Sequence, residues 1–235
     1  MDDTPPSDDP AAAPGYTVLA APASAEIEVK RSRFLCMLER VDGEEAAREV
    51  IARVRQEHRL ARHHCSAFLV GPGRELRRSN DDGEPSGTAG APMLEALSGA
   101  SVGPRGERDL SDVVAVVVRW FGGVLLGTGG LARAYGDAVS EALHEARFAA
   151  RRRMRILALE APHAEAGRWE HELRARGLEL LETGYGSRTA TLRMAVADAP
   201  EPIAHAGALA AEIAHGRALA DDGVDWIESP IPAAR

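Results

Sequence analysis

Residues 79–93 read SNDDGEPSGTAGAPM, which sets Asp81, Asp82 and Glu84 among glycines just ahead of a helical pattern. A glycine-rich loop running into a helix offers free backbone N–H groups at the positive end of the helix dipole, an arrangement that binds anions. Gly83, Gly87 and Gly90 allow left-handed backbone or a close approach. The carboxylates oppose a bare phosphate, but with waters they supply the oxygen ligands that Mg²⁺ takes. They also suit plain turns, because Asp and Asn hydrogen-bond their own backbone. On residue types alone the loop reads as scaffold, as ligand site or as holder of catalytic acids.

A second glycine-rich stretch, RWFGGVLLGTGGLARAYG, covers 119–136. It is no Walker loop, since the chain lacks GK[ST]. The dinucleotide fingerprint is incomplete: Gly127 and Gly129 fit, but Ala132 takes the third place and no acidic residue closes a βαβ unit. Gly129 and Gly130 still leave N–H groups at a helix start. Arg133 in that first turn opposes the dipole, so it reads as the answer to a nearby negative charge. Arg119 ends the most apolar strand of the chain, where an unpaired charge costs several kcal/mol. It is expected either to pair with Asp81, Asp82 or Glu84, or to clamp a ligand anion. The candidate ligand-binding set is Asp81, Asp82, Glu84, Arg119, Gly122, Gly123, Gly129 and Arg133.

His63 and His64 flank Cys65, but strand alternation turns His64 away from the other two, so the three cannot form one metal site. They read as core or supporting histidines. Cys36 and Cys65 form no CxxC pair and read as small buried apolar residues. No G-x-S-x-G elbow occurs and no catalytic constellation can be assigned. No metal and no cofactor is expected. Arg151, Arg153 and Arg155 of RRRMR share one face of a strand and could meet RNA phosphates; as a bland alternative they form a solvated interdomain link.

These groups need elements to position them. YTVLA and IEVKRSRFLCML are strand-like, and 42–59 is an amphipathic helix with Asp42 as cap and Glu45 completing a capping box. A strand at 63–70, a short helix near 91–99 with Pro92 in its first turn, and a buried strand at 112–121 follow. Residues 130–147 form a helix with the apolar stripe Leu131, Ala134, Tyr135, Ala138, Val139, Ala142, Leu143 and Ala146. From 151 the pattern restarts as β-α-β-β-α-β, a ferredoxin-like plan. The expected layout is an acidic disordered tail over 1–15, a first domain over 16–148 and a second over 149–235.

The 235 residues can build a core, at 45% hydrophobic, and no apolar run is long enough to cross a bilayer. The acidic start lacks the features of a secretion signal, so a cytoplasmic protein without membrane attachment is expected. Net charge is −8, concentrated in Asp2, Asp3, Asp8, Asp9, Glu26 and Glu28 of the first 29 residues, where no Lys or Arg stands against them. The body is near neutral and neither demands nor excludes a nucleic-acid partner. Lys30 is the only lysine, which leaves almost no candidate for lysine-based phosphate chemistry.

RSRF (31–34), ARHHCSAF (61–68), SNDDGEPSGTAGAPML (79–94) and VVVRWFGGVLLGTGGLARAYGDAV (116–139), in this order, resemble the IMPACT/YigZ family over roughly 16–148. The resemblance implies an α+β fold: a first domain like domain 2 of ribosomal protein S5, and a ferredoxin-like second domain like the last domains of the translocation elongation factor. It implies a non-enzymatic regulator linked to translation, binding RNA, the ribosome or a protein partner. Eukaryotic relatives act in translation control, but this chain has the bacterial two-domain layout and that role does not carry over directly. The alternative is an enzyme that binds a small molecule or phosphate with the glycine-rich loops.

Overall fold

The structure, a computed structural model, describes residues 15–232. The tail expected over 1–15 lies outside them, apart from Gly15. Contacts divide the described chain into two compact units, one of residues 16–150 with 229–232, the other mainly of 151–228.

The first unit runs β1 (Gly15–Leu19), β2 (Ala23–Val29), β3 (Ser32–Arg40), α1 (Glu44–Glu57), β4 (His63–Val70), β5 (Leu76–Asn80), α2 (Gly90–Gly99), β6 (Val113–Trp120) and α3 (Gly127–Glu145). Five strands form one antiparallel sheet in the order β2-β3-β6-β4-β5. The run VVAVVV makes β6 the central strand because both of its faces are covered. Val114, Val116 and Val118 pack with Ala47 and Val54 of α1. Val113, Ala115 and Val117 pack with Met93 and Leu97 of α2 and with Leu131, Tyr135 and Ala138 of α3. Each buried Val, Leu or Met among them contributes about 1.5–3 kcal/mol.

Four local expectations are corrected. Asp42 does not cap α1: the helix begins after Gly43, whose backbone is extended, with no side-chain cap and with Glu44 and Glu45 in the first turn. The stretch read as one strand, 27–38, is a hairpin, turning at Lys30 and Arg31 with φ of 46° and 66°; positive φ at both central residues is what a two-residue hairpin turn needs. β5 went unrecognised because it is an edge strand of mostly exposed side chains, held through its backbone to β4. And α3 starts at Gly127, absorbing Gly127, Gly129 and Gly130 of the stretch read as a turn and leaving Gly122 and Gly123 outside.

The second unit contains most of β7 (Phe148–Pro162), then α4 (His163–Ala175), β8 (Glu179–Leu180), β9 (Gly184–Tyr185), β10 (Thr189–Ala197), α5 (Pro200–Ile213) and β11 (Ala220–Pro230). β10 lies antiparallel between β7 and the short β8 and β9, and β11 pairs with β7. Trp169 and Leu173 of α4 and Ala206, Leu209 and Ile213 of α5 bury against Leu159, Leu192 and Met194. Antiparallel sheets with helices packed on them make the chain α+β. Among the described residues no helix is long and apolar enough to cross a membrane.

Candidate functional site

Strand register builds the site. Arg119 near the end of β6 stands opposite Phe34 of β3 on one side and His63 of β4 on the other. Opposed residues of antiparallel strands share a face, so all three project toward α2 and α3. There the Arg119 guanidinium lies 5.4 Å from the Phe34 ring centroid and 5.6 Å from that of Phe121.

The 81–89 loop brings its carboxylates to different places. Asp81 turns inward on its own loop: Oδ2 accepts from the Gly87 N–H at 2.7 Å, and Oδ1 from Ala89 and Gly90 at 3.0 and 2.8 Å. Those last two are free N–H groups at the start of α2, so Asp81 caps the helix from outside it. Burial works against its charge, but the three backbone donors prevail and hold the carboxyl below its ordinary value. Asp82, at φ 42°, accepts from Arg55 at 2.6 Å and from the His64 amide at 2.7 Å.

Only Glu84 reaches Arg119. Its Oε1 accepts from Arg119 Nη1 at 2.5 Å and from the Tyr135 hydroxyl at 2.9 Å. His63 places Nε2 at 3.8 Å from the same oxygen and is oriented by the Asp82 carbonyl, 2.8 Å from Nδ1. Arg119 Nη2 is 3.5 Å from Ser32 Oγ, which also accepts from the Gly122 amide at 3.2 Å. Arg119 Nε is buried without a hydrogen-bond partner among the described residues. Behind the pair, Cys65 Sγ points at the Asp81 carbonyl, 3.0 Å away. Burial pushes the Cys65 thiol up to about 12 and raises the Tyr135 hydroxyl as well, so both stay protonated.

The pair forms the floor of a cleft of about 390 Å³ lined by both glycine-rich segments: Glu84 and Pro85 from one, Phe121, Leu125, Gly127 and Thr128 from the other. The remaining candidates lie elsewhere. Gly122 serves packing, since a Cβ there would stand 2.0 Å from the Arg31 carbonyl carbon. Gly123 supplies a positive φ of 84°. Gly129 and Arg133 sit exposed on the first turns of α3, and no carboxylate pairs with Arg133 among the described residues. Tyr135 was legible only as part of an apolar stripe, yet a buried tyrosine must place its hydroxyl, and that rule pointed toward a buried acceptor. Phe121 and Leu125 at the rim carry no such signal.

In the second unit Arg151, Arg153 and Arg155 all meet carboxylates. Arg151 faces Glu228 at 3.6 Å, Arg153 faces Asp198 at 3.5 Å, and Arg155 binds Asp198 and Asp221 at 2.9 and 3.0 Å. Among the described residues no group of three or more His, Cys, Asp or Glu side chains is placed to hold a metal ion.

Residues 30–143 match the family model described as Impact N-terminal domain. The chain is 43% identical over 170 residues to IMPACT family member YvyE of Bacillus subtilis (strain 168), covering 72% of this chain and 75% of that one. It is 47% identical over 132 residues to IMPACT family member YigZ of Escherichia coli (strain K12), covering 55% and 61%. A solved structure described as that of a hypothetical protein superposes with a TM-score of 0.56 at 33% identity, covering 91% of this chain and 96% of that one.

Proposed function

Since the chain belongs to the IMPACT family, we propose that it is a non-enzymatic regulator linked to translation, whose first unit docks a protein partner of the translation apparatus over the Glu84–Arg119 cleft. One observation carries this reading. Phe121 and Leu125 stand 43% and 84% exposed at the rim of a cleft whose floor is a self-neutralised ion pair. Large apolar side chains held in water beside a concave floor suit a docking surface. The floor carboxylate is engaged by Arg119 and Tyr135, which leaves it poorly placed to take a proton from a substrate. An RNA contact through Arg151, Arg153 and Arg155 has weaker support, because carboxylates already offset their charge.

The finer fold reading belongs with this proposal. The first unit is taken as similar to domain 2 of ribosomal protein S5. The second is taken as ferredoxin-like, supported by the succession β7-α4-β8-β9-β10-α5-β11, in which the short β8 and β9 both pair with β10 and stand for one strand of that plan, and by the central places of β7 and β10. A cytoplasmic location follows from a role in translation.

Co-sedimentation of the full chain with ribosomes tests the docking reading. Association that is retained in moderate salt and lost in Leu125→Asp supports it. No association, or association indifferent to Leu125→Asp and Phe121→Ala, overturns it. The alternative, an enzyme acting on a small molecule or phosphate, is favoured by the convergence of both glycine-rich segments on one cleft beside His63. Thermal shifts with nucleotides and phosphosugars in the presence of Mg²⁺ test that alternative, and a flat response counts against it.

A further inference from the structure

The sheet of the first unit is wider than the helix on one of its faces. Strands lie about 4.8 Å apart and a helix is roughly 10 Å across, so one helix cannot cover five strands. α1 packs on β4 and β6 and leaves β5 uncovered at the edge. Between α1 and β5 lies a second cleft, of about 460 Å³, within the range of small-molecule sites.

Its walls follow from periodicity. On α1, Glu44, Arg48, Ile51 and Arg55 are spaced four, three and four residues apart, one stripe along the helix. In the sheet, Ser66 opposes Asn80 and Phe68 opposes Arg78, so these four side chains share the α1 face. Three guanidiniums from two elements thus border a floor containing an aromatic ring. Arg48 is paired with Glu44 at 2.6 Å and Arg55 with Asp82 at 2.6 Å. Among the described residues no carboxylate is hydrogen-bonded to Arg78, whose Nη1 donates to the Arg77 carbonyl at 3.0 Å, although Glu44, already bonded to Arg48, is near enough to feel its charge. Each paired arginine keeps further N–H donors, and three guanidiniums against the carboxylates of Glu44 and Asp82 leave a net positive charge at the cleft.

We propose that this cleft binds a small organic phosphate of nucleoside monophosphate size. Arg78 takes the phosphate, with the spare donors of Arg48 and Arg55 beside it. Guanidinium forks match phosphate oxygens two at a time. The organic part lies against Phe68 and Ile51, and Ser66 and Asn80 offer it hydrogen bonds. This site is separate from the Glu84–Arg119 cleft and stands whether or not that cleft docks a partner.

Calorimetric titration of the full chain with AMP, GMP, CMP, UMP and inorganic phosphate at low salt tests the proposal. At least one monophosphate is expected to bind, more weakly as salt rises. Arg78→Ala, at an exposed position that should leave folding intact, is expected to weaken that binding by about tenfold or more, as loss of a charge-assisted hydrogen bond does. Arg78→Lys is expected to fall between, and Arg133→Ala to leave binding unchanged. Absence of binding at low salt by every monophosphate overturns the proposal, as does binding unaltered in Arg78→Ala. So does an Arg78-dependent affinity for an oligoribonucleotide without affinity for any monophosphate, which assigns the cleft to a polynucleotide.

Discussion

Arg119 and Glu84, 35 residues apart in the chain, meet as a buried ion pair, with Nη1 2.5 Å from Oε1 and side chains 7% and 4% exposed. Removing one partner leaves the other charge buried and uncompensated, at a cost of about 3–5 kcal/mol. Arg119→Met and Glu84→Gln are each expected to lower the urea midpoint sharply. The double variant is expected to lose less than the sum of the singles, since neither charge is then left alone. A double-variant loss equal to the sum contradicts a direct pair.

Asp81 makes the 79–90 region acid-sensitive. Its carboxyl titrates lower in the folded chain than the ordinary value of about 3.9. The stability it contributes is therefore fully present above that value and is lost as pH falls through the folded one. Asp81→Asn is expected to cost about 1–3 kcal/mol at neutral pH, the range for a charged group accepting several N–H bonds. Its stability is expected to depend less on pH below about 5 than that of the natural chain. Urea denaturation between neutrality and mild acid measures both.

The glycines of the second segment are predicted to differ in kind. Gly122→Ala places a methyl 2.0 Å from the Arg31 carbonyl carbon, a clash with backbone that no rotamer relieves. It is expected to prevent folding or to displace the Lys30–Arg31 turn. Gly129→Ala meets nothing within 4 Å and lies in a helix. It is expected to be neutral or to stabilise by up to about 1 kcal/mol, the helix preference of Ala over Gly. Thermal midpoints of the two variants distinguish them.

Both thiols should be inert in the folded chain. Cys36 and Cys65 are buried, and burial pushes the Cys65 thiol up to about 12. The thiolate is the reactive form, and at pH 8 almost none exists at such a value. Labelling with a disulfide reagent is expected to be slow natively and complete in denaturant. Rapid native labelling at Cys65 contradicts its placement behind Glu84.

Much of this was legible along the chain because periodicity encodes burial. The run VVAVVV, short and rich in β-branched residues, reads as a strand covered on both faces. The stripe from Leu131 to Leu143 could only be a helix against a core. In the second half the two helices α4 and α5 and the long strand β10 between them were readable in the same way, whereas the family was legible only through resemblance of its motifs. β5 was not, because after Leu76 it is an edge strand of Arg, Ser and Asn held by backbone hydrogen bonds that leave no alternating apolar signature. That Arg119 needs a counter-charge followed from its place at the end of an apolar strand. Asp81, Asp82 and Glu84 lie within four residues and are chemically near-equivalent to a linear reading. Tertiary structure decided among them, because the loop backbone offers Asp81 three N–H donors, turns Asp82 toward Arg55 and the His64 amide, and leaves Glu84 alone beside the guanidinium. Charge type is a property of the residue, whereas the partner of a charge depends on which strands are neighbours and in what register.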